Sequence, residues 1–369
     1  MSQIKVNIKQ QNIKYDINFT DNIFGYLEKN IKDFDKKKIL YVVDSEVYKL
    51  HFNDEKCRDT LQCTSTIKNH HILILPHGEK NKNLKSVLKI IDELMEKNFT
   101  RKDLVVSIGG GVTGDITAFA SSLFKRGINF IQVPTTLLSM FDSSVGGKTG
   151  VDFQGVKNGI GTFYSPKVVL VDQTFLKTLP QKELISGYFE GLKHALLLGE
   201  TDYFDFKNEF DKIINKKFDK NTKEIILKNI GCKLNIVKSD PTETNGKRRV
   251  LNYGHTFGHA LETVMNFKLP HGICVGLGII FTNRLSYNLG YLKQEILEEV
   301  ESFILSRLKK YSLPKLDFEQ IYALMQNDKK NESNEINFIL LKDFGEVFEK
   351  KCEKKDLEKV FIEFEKLFN

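Results

Sequence analysis

The sequence predicts an α/β first half and an all-α second half, changing over near Leu179-Pro180. Two observations carry this. Five short apolar runs before residue 180 have helical patterns between several of them. Strands that alternate with helices imply a mostly parallel sheet covered on both faces. Beyond residue 180, apolar residues recur at three- and four-residue spacing, the mark of amphipathic helices. A chain of 369 residues suits two domains better than one core. We read an N-terminal domain over 1–180 and a C-terminal domain over 181–369, and a cleft between two such domains is the default small-molecule site.

The elements follow in order. Residues 3–9 and 13–19 alternate with period two around Gln10-Gln11-Asn12, which predicts a hairpin. Buried-strand runs come next at Ile39–Val43, Ile72–Leu75, Leu104–Ile108, Phe130–Val133 and Val168–Val171, with a helical pattern over Leu84–Lys97. In the second half, helices are expected over 181–199, 222–239, 255–266, 272–289 and 294–310, punctuated by Pro270 and Pro314.

Composition narrows the function classes. The apolar fraction of 41% and charged fraction of 28% are ordinary globular usage. The net charge of +7 is spread through interspersed lysines and glutamates, which describes a solvated surface and no nucleic-acid partner. It also suits a phosphorylated substrate. Cys57, Cys63, Cys232, Cys274 and Cys352 show no paired spacing, so neither a disulfide framework nor a thiolate zinc site is expected. The N-terminus alternates polar and apolar residues, and no apolar stretch approaches the ~20 residues of a membrane span. A soluble cytoplasmic protein is expected.

Two places carry chemistry. Gly109-Gly110-Gly111-Val112-Thr113-Gly114-Asp115 follows a strand and opens a helix, where backbone N–H groups and the positive end of the helix dipole suit a phosphate. Asp44 ends the strand Ile39–Val43, where a carboxylate can accept ribose hydroxyls in a Rossmann-like sheet or simply serve a turn. Gly78-Glu79-Lys80 adds polar groups at the same edge. Gly146-Gly147-Lys148-Thr149 lacks the leading glycine of an ATP-hydrolysing loop.

The second place lies in the helical half. Glu190, His255, His259 and His271 are imidazole and carboxylate groups suited to zinc or a similar divalent ion, with Lys193 adjacent to Glu190. His255 and His259 share a helix face, but Thr256 stands where a metalloprotease has its glutamate base. The residues alone leave open which three of the four bind metal. His194 reads as structural, and His51, His70, His71 and His77 carry no case.

From Gly109 to Asp172 the chain resembles the 3-dehydroquinate synthases: GGGVTGD, FKRG, VPTTLLSMFDSSVGGKTGVD and KNGIGTFYSP stand in that order. The match resumes at FEGLKHALL, RVLNYGHTFGHALE and LPHG, and weakly at Asp328-Lys329-Lys330 before a strand-like run, Ile336–Leu341. The resemblance implies a dehydroquinate synthase-like fold and a catalytic zinc or cobalt held by Glu190, His255 and His271. His259 would then touch substrate. It further implies that Lys148, Lys193, Lys233, Arg248 and Asn252 serve catalysis, and that Asp142, Asn158, Glu243 and one of Lys329 and Lys330 contact substrate. Arg126 would reach the phosphate from the neighbouring subunit of a homodimer.

For NAD the implied contacts are Asp44, Glu79, Lys82, Gly110, Gly111, Val112, Asp115, Thr135, Thr136, Lys157, Phe175 and Thr178. The implied reaction takes 3-deoxy-D-arabino-heptulosonate 7-phosphate through transient oxidation by NAD, phosphate β-elimination, re-reduction and an intramolecular aldol closure. Three departures stand out. Ile273 follows His271-Gly272 where the family usually has glutamate; Gly191 replaces an aliphatic residue; and the loop from Asp240 to Arg248 is one residue longer.

Overall fold

Runs such as Ile39–Val43 and Leu104–Ile108 carry almost no polar residue, so both faces of those strands must be covered. In the computed structural model, which describes residues 14–52, 69–308, 311, 313–327 and 335–368, they are the centre of a parallel sheet. The strands are β1 (Asp16–Phe19), β2 (Ile39–Asp44), β3 (His70–Leu75), β4 (Leu104–Gly109), β5 (Asn129–Pro134), β6 (Lys148–Phe153), β7 (Val156–Phe163) and β8 (Val168–Val171). Six of them order as β1-β8-β5-β4-β2-β3, every pair parallel. All residues of β2 and β4 are buried, whereas the edge strands β1 and β3 are partly exposed.

Helices α1 (Ile23–Asn30), α2 (Ser45–His51), α3 (Leu84–Glu96) and α4 (Gly111–Leu123) accompany this sheet. Val87, Ile90 and Leu94 of α3 and Ile116 and Phe119 of α4 join Leu40, Val42 and Val105 in one apolar core. The 3–9 half of the expected hairpin lies outside the described residues, and β1 pairs in parallel with β8. A hairpin does form from β6 and β7, which the period-two reading did not single out; β7 is glycine-rich and largely exposed.

The helical half contains α5 (Gln181–Leu198), α6 (Glu200–Asn208), α7 (Phe210–Ile214), α8 (Lys220–Ser239), α9 (His255–Val264), α10 (His271–Asn288), α11 (Gln294–Leu308), α12 (Phe318–Asn327) and α13 (Lys354–Glu365). The five helices read from spacing match α5, α8, α9, α10 and α11 to within two residues at each end. One departure from an all-helical half is the antiparallel pair β9 (Glu335–Asp343) and β10 (Glu346–Glu353), joined through Phe344-Gly345 with Gly345 at φ 79°. β9 buries Phe338, whose ring packs near Phe281 of α10. Phe281 in turn stacks on Phe257 of α9 at 4.0 Å.

The chain divides into two compact units, Met1–Pro134 with Gly147–Asp172, and Thr135–Gly146 with Gln173–Asn369. The sequence boundary near 180 had placed residues 135–146 in the first domain. They belong to the second unit because their turn at Ser139–Ser143 carries Asp142, which pairs with Lys233 of α8. Among the described residues, no helix is long and apolar enough to cross a membrane.

Candidate active site

Three helices of the second unit bring the histidines and Glu190 together, and glycines set how closely they approach. A Cβ on Gly278 of α10 would lie 1.8 Å from the carbonyl oxygen of Gly254, the residue preceding α9. A Cβ on Gly272 would lie 1.8 Å from the carbonyl oxygen of Ser186 on α5. Backbone fills both spaces, so α10 can lie this close to α9 and α5 only with glycine there.

The result is a cluster with Glu190 on α5, His255 and His259 on α9 and His271 at the first position of α10. Glu190 Oε1 is 3.7 Å from His255 Nε2, and Oε2 is 3.9 Å from His271 Nε2. His255, His259 and His271 place ring nitrogens within 4.8 Å of one another. Two further contacts orient the rings. His255 Nδ1 lies 3.1 Å from the Tyr253 carbonyl, and His271 Nδ1 lies 3.3 Å from the buried carboxylate of Glu262. Each leaves Nε2 turned toward Glu190, as a ligating imidazole requires. Glu190 is buried; Oε1 accepts from Lys193, while Oε2 has no hydrogen-bond partner. A carboxylate with one orphaned oxygen, facing His271 through that oxygen and His255 through the other, is a donor set that fits a divalent cation.

Lys193 also donates to the Leu251 carbonyl at 2.9 Å. Beside this pair, Lys233 of α8 reaches Asp142 Oδ1 at 2.8 Å and the Asp142 backbone carbonyl. Burial disfavours the charge on Asp142, but Lys233, Lys193 and His194 outweigh it and hold the carboxyl below the usual range. Arg248 is buried, its guanidinium donating to the Pro241 carbonyl at 3.2 Å. Asp240 holds that loop by accepting from the backbone N–H groups of Thr244, Asn245 and Arg248. Glu243 sits in the loop at φ 57°, and the partly buried Asn252 ends the short helical turn Lys247–Asn252. Thr135, Thr136, Phe175 and Thr178 also fall in this unit; Thr136 Oγ1 and Ser139 Oγ pair at 2.9 Å, and Thr178 Oγ1 donates to the Phe175 carbonyl.

The first unit gathers most of the expected nucleotide contacts at one sheet edge. Chain order reverses between β2 and β4, the point where open α/β sheets take ligands. Asp44 ends β2, and Gly110 caps the N-terminus of α4 just after β4 without any side-chain cap bond. Gly111 and Val112 open that helix. Asp44 serves its turn: Oδ1 accepts from the Glu46 N–H at 2.9 Å, capping α2, while Oδ2 faces His77 Nδ1 at 3.0 Å and Thr113. Lys82, nearly buried, donates to Asn158 Oδ1 at 2.7 Å and pairs with Asp115 at 2.8 Å. Burial lowers its pKa, but Asp115 and Glu79 more than compensate and raise it overall. Lys157 lies 3.9 Å from Glu79. Asn158 therefore stands with Lys82 and Asp115, although the resemblance separated its role from theirs. Lys148 begins β6 and is exposed; Arg126 is exposed at φ 65° beside Lys125 at φ 47°. Lys329 and Lys330 lie outside the described residues.

The model of the N-terminal region of 3-dehydroquinate synthase matches residues 72–186, and that of the C-terminal region matches residues 187–331. The chain belongs to the 3-dehydroquinate synthase family. It is 41% identical over 338 residues to the 3-dehydroquinate synthase of Ruminiclostridium cellulolyticum, covering 91% of each chain. Among solved structures, 2-epi-5-epi-valiolone synthase from Streptomyces hygroscopicus, with NAD+ and Zn2+ bound, superposes at a TM-score of 0.85 with 22% identity, over 98% of this chain and 99% of that one. A 2-deoxy-scyllo-inosose synthase complexed with carbaglucose-6-phosphate, NAD+ and Co2+ superposes at 0.83 with 22% identity, over 95% and 96%. These two likenesses show the fold.

Two of the three departures from the 3-dehydroquinate synthase pattern have physical accounts. Gly191 leaves room that Phe206 and Phe141 fill, their ring atoms lying 2.5 and 2.6 Å from where its Cβ would be. Ile273 is fully buried and supplies no polar group near His271; Glu262 does. Sequence reasoning missed Glu262, His77 and His194. The i+7 spacing from His255 to Glu262 was the available signal for Glu262, since it puts both on one helix face. Glu262→Gln is expected to weaken metal affinity about 10- to 100-fold, measured by competition with a chelator; unchanged affinity would count against its orienting role.

Buried histidines also set the acid limit of stability. His194 is pushed down to about 4 by burial and by Lys193, partly opposed by Asp142. His255 lies well below its usual value for similar reasons, burial first. The unfolded chain binds these protons near 6.5, and the folded chain does not. Stability is therefore full above that pH and falls as pH drops toward each histidine's lowered folded value. Urea unfolding of the metal-free protein should show a lower midpoint at pH 5 than at pH 7.

Proposed function

We propose that this chain is a 3-dehydroquinate synthase, a phosphate-eliminating carbon–oxygen lyase. It would convert 3-deoxy-D-arabino-heptulosonate 7-phosphate to 3-dehydroquinate and phosphate, in the route to aromatic amino acids. The observation that carries the reading is Glu190 converging with His255 and His271 in a chain that matches the family through both of its regions. Glu190, His255 and His271 would hold zinc or cobalt, and the edge formed by Asp44, Gly110, Gly111, Val112, Glu79, Lys82, Asp115 and Lys157 would hold NAD; Thr135, Thr136, Phe175 and Thr178 are the remaining NAD contacts that the family resemblance implies. When bound, NAD supplies reversible hydride transfer and the cation supplies Lewis acidity toward the substrate's hydroxyl oxygens.

The chain's own residues do the rest. Lys193, Lys233 and Arg248 are buried cations that bind carboxylate and phosphate by charge-assisted hydrogen bonds, with Lys148 and one of Lys329 and Lys330 adding to them. Asn252 positions hydroxyl groups, His259 positions them or carries a proton at the reacting carbons, and Asp142, Asn158 and Glu243 orient the sugar. Holding one molecule in a reactive shape is what the aldol closure needs most. The departing phosphate can itself accept the proton lost in elimination.

The enzyme would act in the cytoplasm as a homodimer with Arg126 reaching the neighbouring site. Two observations support that assembly. Arg126 is exposed on left-handed backbone, and Phe153, Val156 and Phe163 of the β6–β7 hairpin are exposed apolar residues. The rival reading is a cyclase of the same fold acting on a sugar phosphate without a carboxylate. Phosphate release from the heptulosonate phosphate, with no net NADH, supports the synthase. Turnover only with the carboxylate-free substrate selects the rival, and NADH accumulation with an alcohol selects a polyol dehydrogenase.

A further inference from the structure

His194 is fully buried on α5, and neither of its ring nitrogens has a hydrogen-bond partner. Buried polar atoms are nearly always paired, so this ring has unused capacity to donate a hydrogen bond. Nε2 lies 3.7 Å from Asp142 Oδ1, just outside hydrogen-bond range, and Lys233 already occupies that oxygen at 2.8 Å. Asp142, Glu190 and His194 have ligand-type atoms within 4.8 Å of one another. A second cation there is disfavoured, because Lys193 and Lys233 already bring two positive charges to the two carboxylates.

Resting on the proposed reaction, Lys233 must turn toward an anionic substrate, which strips Asp142 of its closest counter-charge. Asp142 is partly buried, and a carboxylate that loses its counter-charge there is destabilised. His194 offers a donor without a hydrogen-bond partner: closing its gap from 3.7 Å to about 2.9 Å is a sub-ångström movement. We propose that His194 is a positioning residue, whose Nε2–H takes over Asp142 when substrate recruits Lys233 and keeps that carboxylate aimed.

The test compares His194→Leu with His194→Asn, which keeps an N–H donor. Replacing orphaned polar atoms by an apolar group of similar shape is near neutral for stability. His194→Leu should therefore keep wild-type thermal stability, NAD and metal content, yet show a KM for the heptulosonate phosphate raised about 10- to 100-fold with kcat less affected. His194→Asn should recover most of that loss. A His194→Leu protein with wild-type KM, or one that loses stability while KM is spared, overturns the role. Equal defects in both variants overturn the donor assignment. Wild-type protein that releases no phosphate from this substrate overturns the proposed reaction and this inference with it; normal wild-type turnover with an undisturbed His194→Leu overturns this inference alone.

Discussion

Glu190→Gln is expected to lower kcat by more than about a hundredfold and to leave the purified protein with little bound metal. The magnitude follows from comparison: losing an outer partner of a ligand costs about 10- to 100-fold, and losing a charged ligand exceeds that. Glutamine keeps the shape of the side chain, so the change removes charge and little volume. It also deprives the buried Lys193 ammonium of its carboxylate, leaving the Leu251 carbonyl as a neutral acceptor. Breaking a buried pair from one side costs about 3–5 kcal/mol, so the thermal midpoint should fall although the protein still folds. Phosphate release, elemental metal content and thermal unfolding would be measured together. One bound metal per chain with near wild-type turnover would end the assignment of Glu190.

Gly272→Ala should disable the same site without touching a polar group. Its Cβ would sit 1.8 Å from the Ser186 carbonyl oxygen and 2.6 Å from the carbonyl carbon, both backbone atoms of α5. Neither can yield as a flexible side chain would, so the start of α10 must move away from α5. His271 is the preceding residue, and it would move away from Glu190. Overpacking of this kind costs about 1–3 kcal/mol or more, and a displacement of about 1 Å at a reacting centre can cost about a hundredfold in rate. The expected result is a lower unfolding midpoint, weaker metal binding and kcat/KM down about a hundredfold. A variant with unchanged stability and activity would show that the helices tolerate a wider spacing.

Some elements of this fold are legible in the sequence and others are not, for physical reasons. Apolar runs flanked by turns read correctly as β2, β4 and β5 because a strand buried on both faces leaves a continuous signal. The hairpin β6–β7 escaped because its glycines and exposed positions break the alternation. Of the β9–β10 pair only Ile336–Leu341 looks strand-like in sequence, since its partner strand Glu346–Glu353 is mostly charged. His194 read as structural because spacing along a helix says nothing about which nitrogens find partners. Glu262 was passed over because its use depends on α10 lying against α9, a tertiary fact.

By itself the sequence determined the residue types: three histidines and a glutamate in a helical half, a glycine-rich turn after a buried strand, and an excess of positive charge. Local chemistry and chain periodicity suffice for that, because they depend on neighbours in sequence. Only the tertiary structure decided which of these groups meet. Glu190 lies 3.9 Å from His271, the two 81 positions apart in the chain, because backbone at Gly272 and Gly278 packs without side chains between the helices. Likewise, only packing decided that Asp142 faces Lys233 and His194 within the second unit. Contacts between residues distant in sequence are set by how the helices pack, and no spacing along the chain records them.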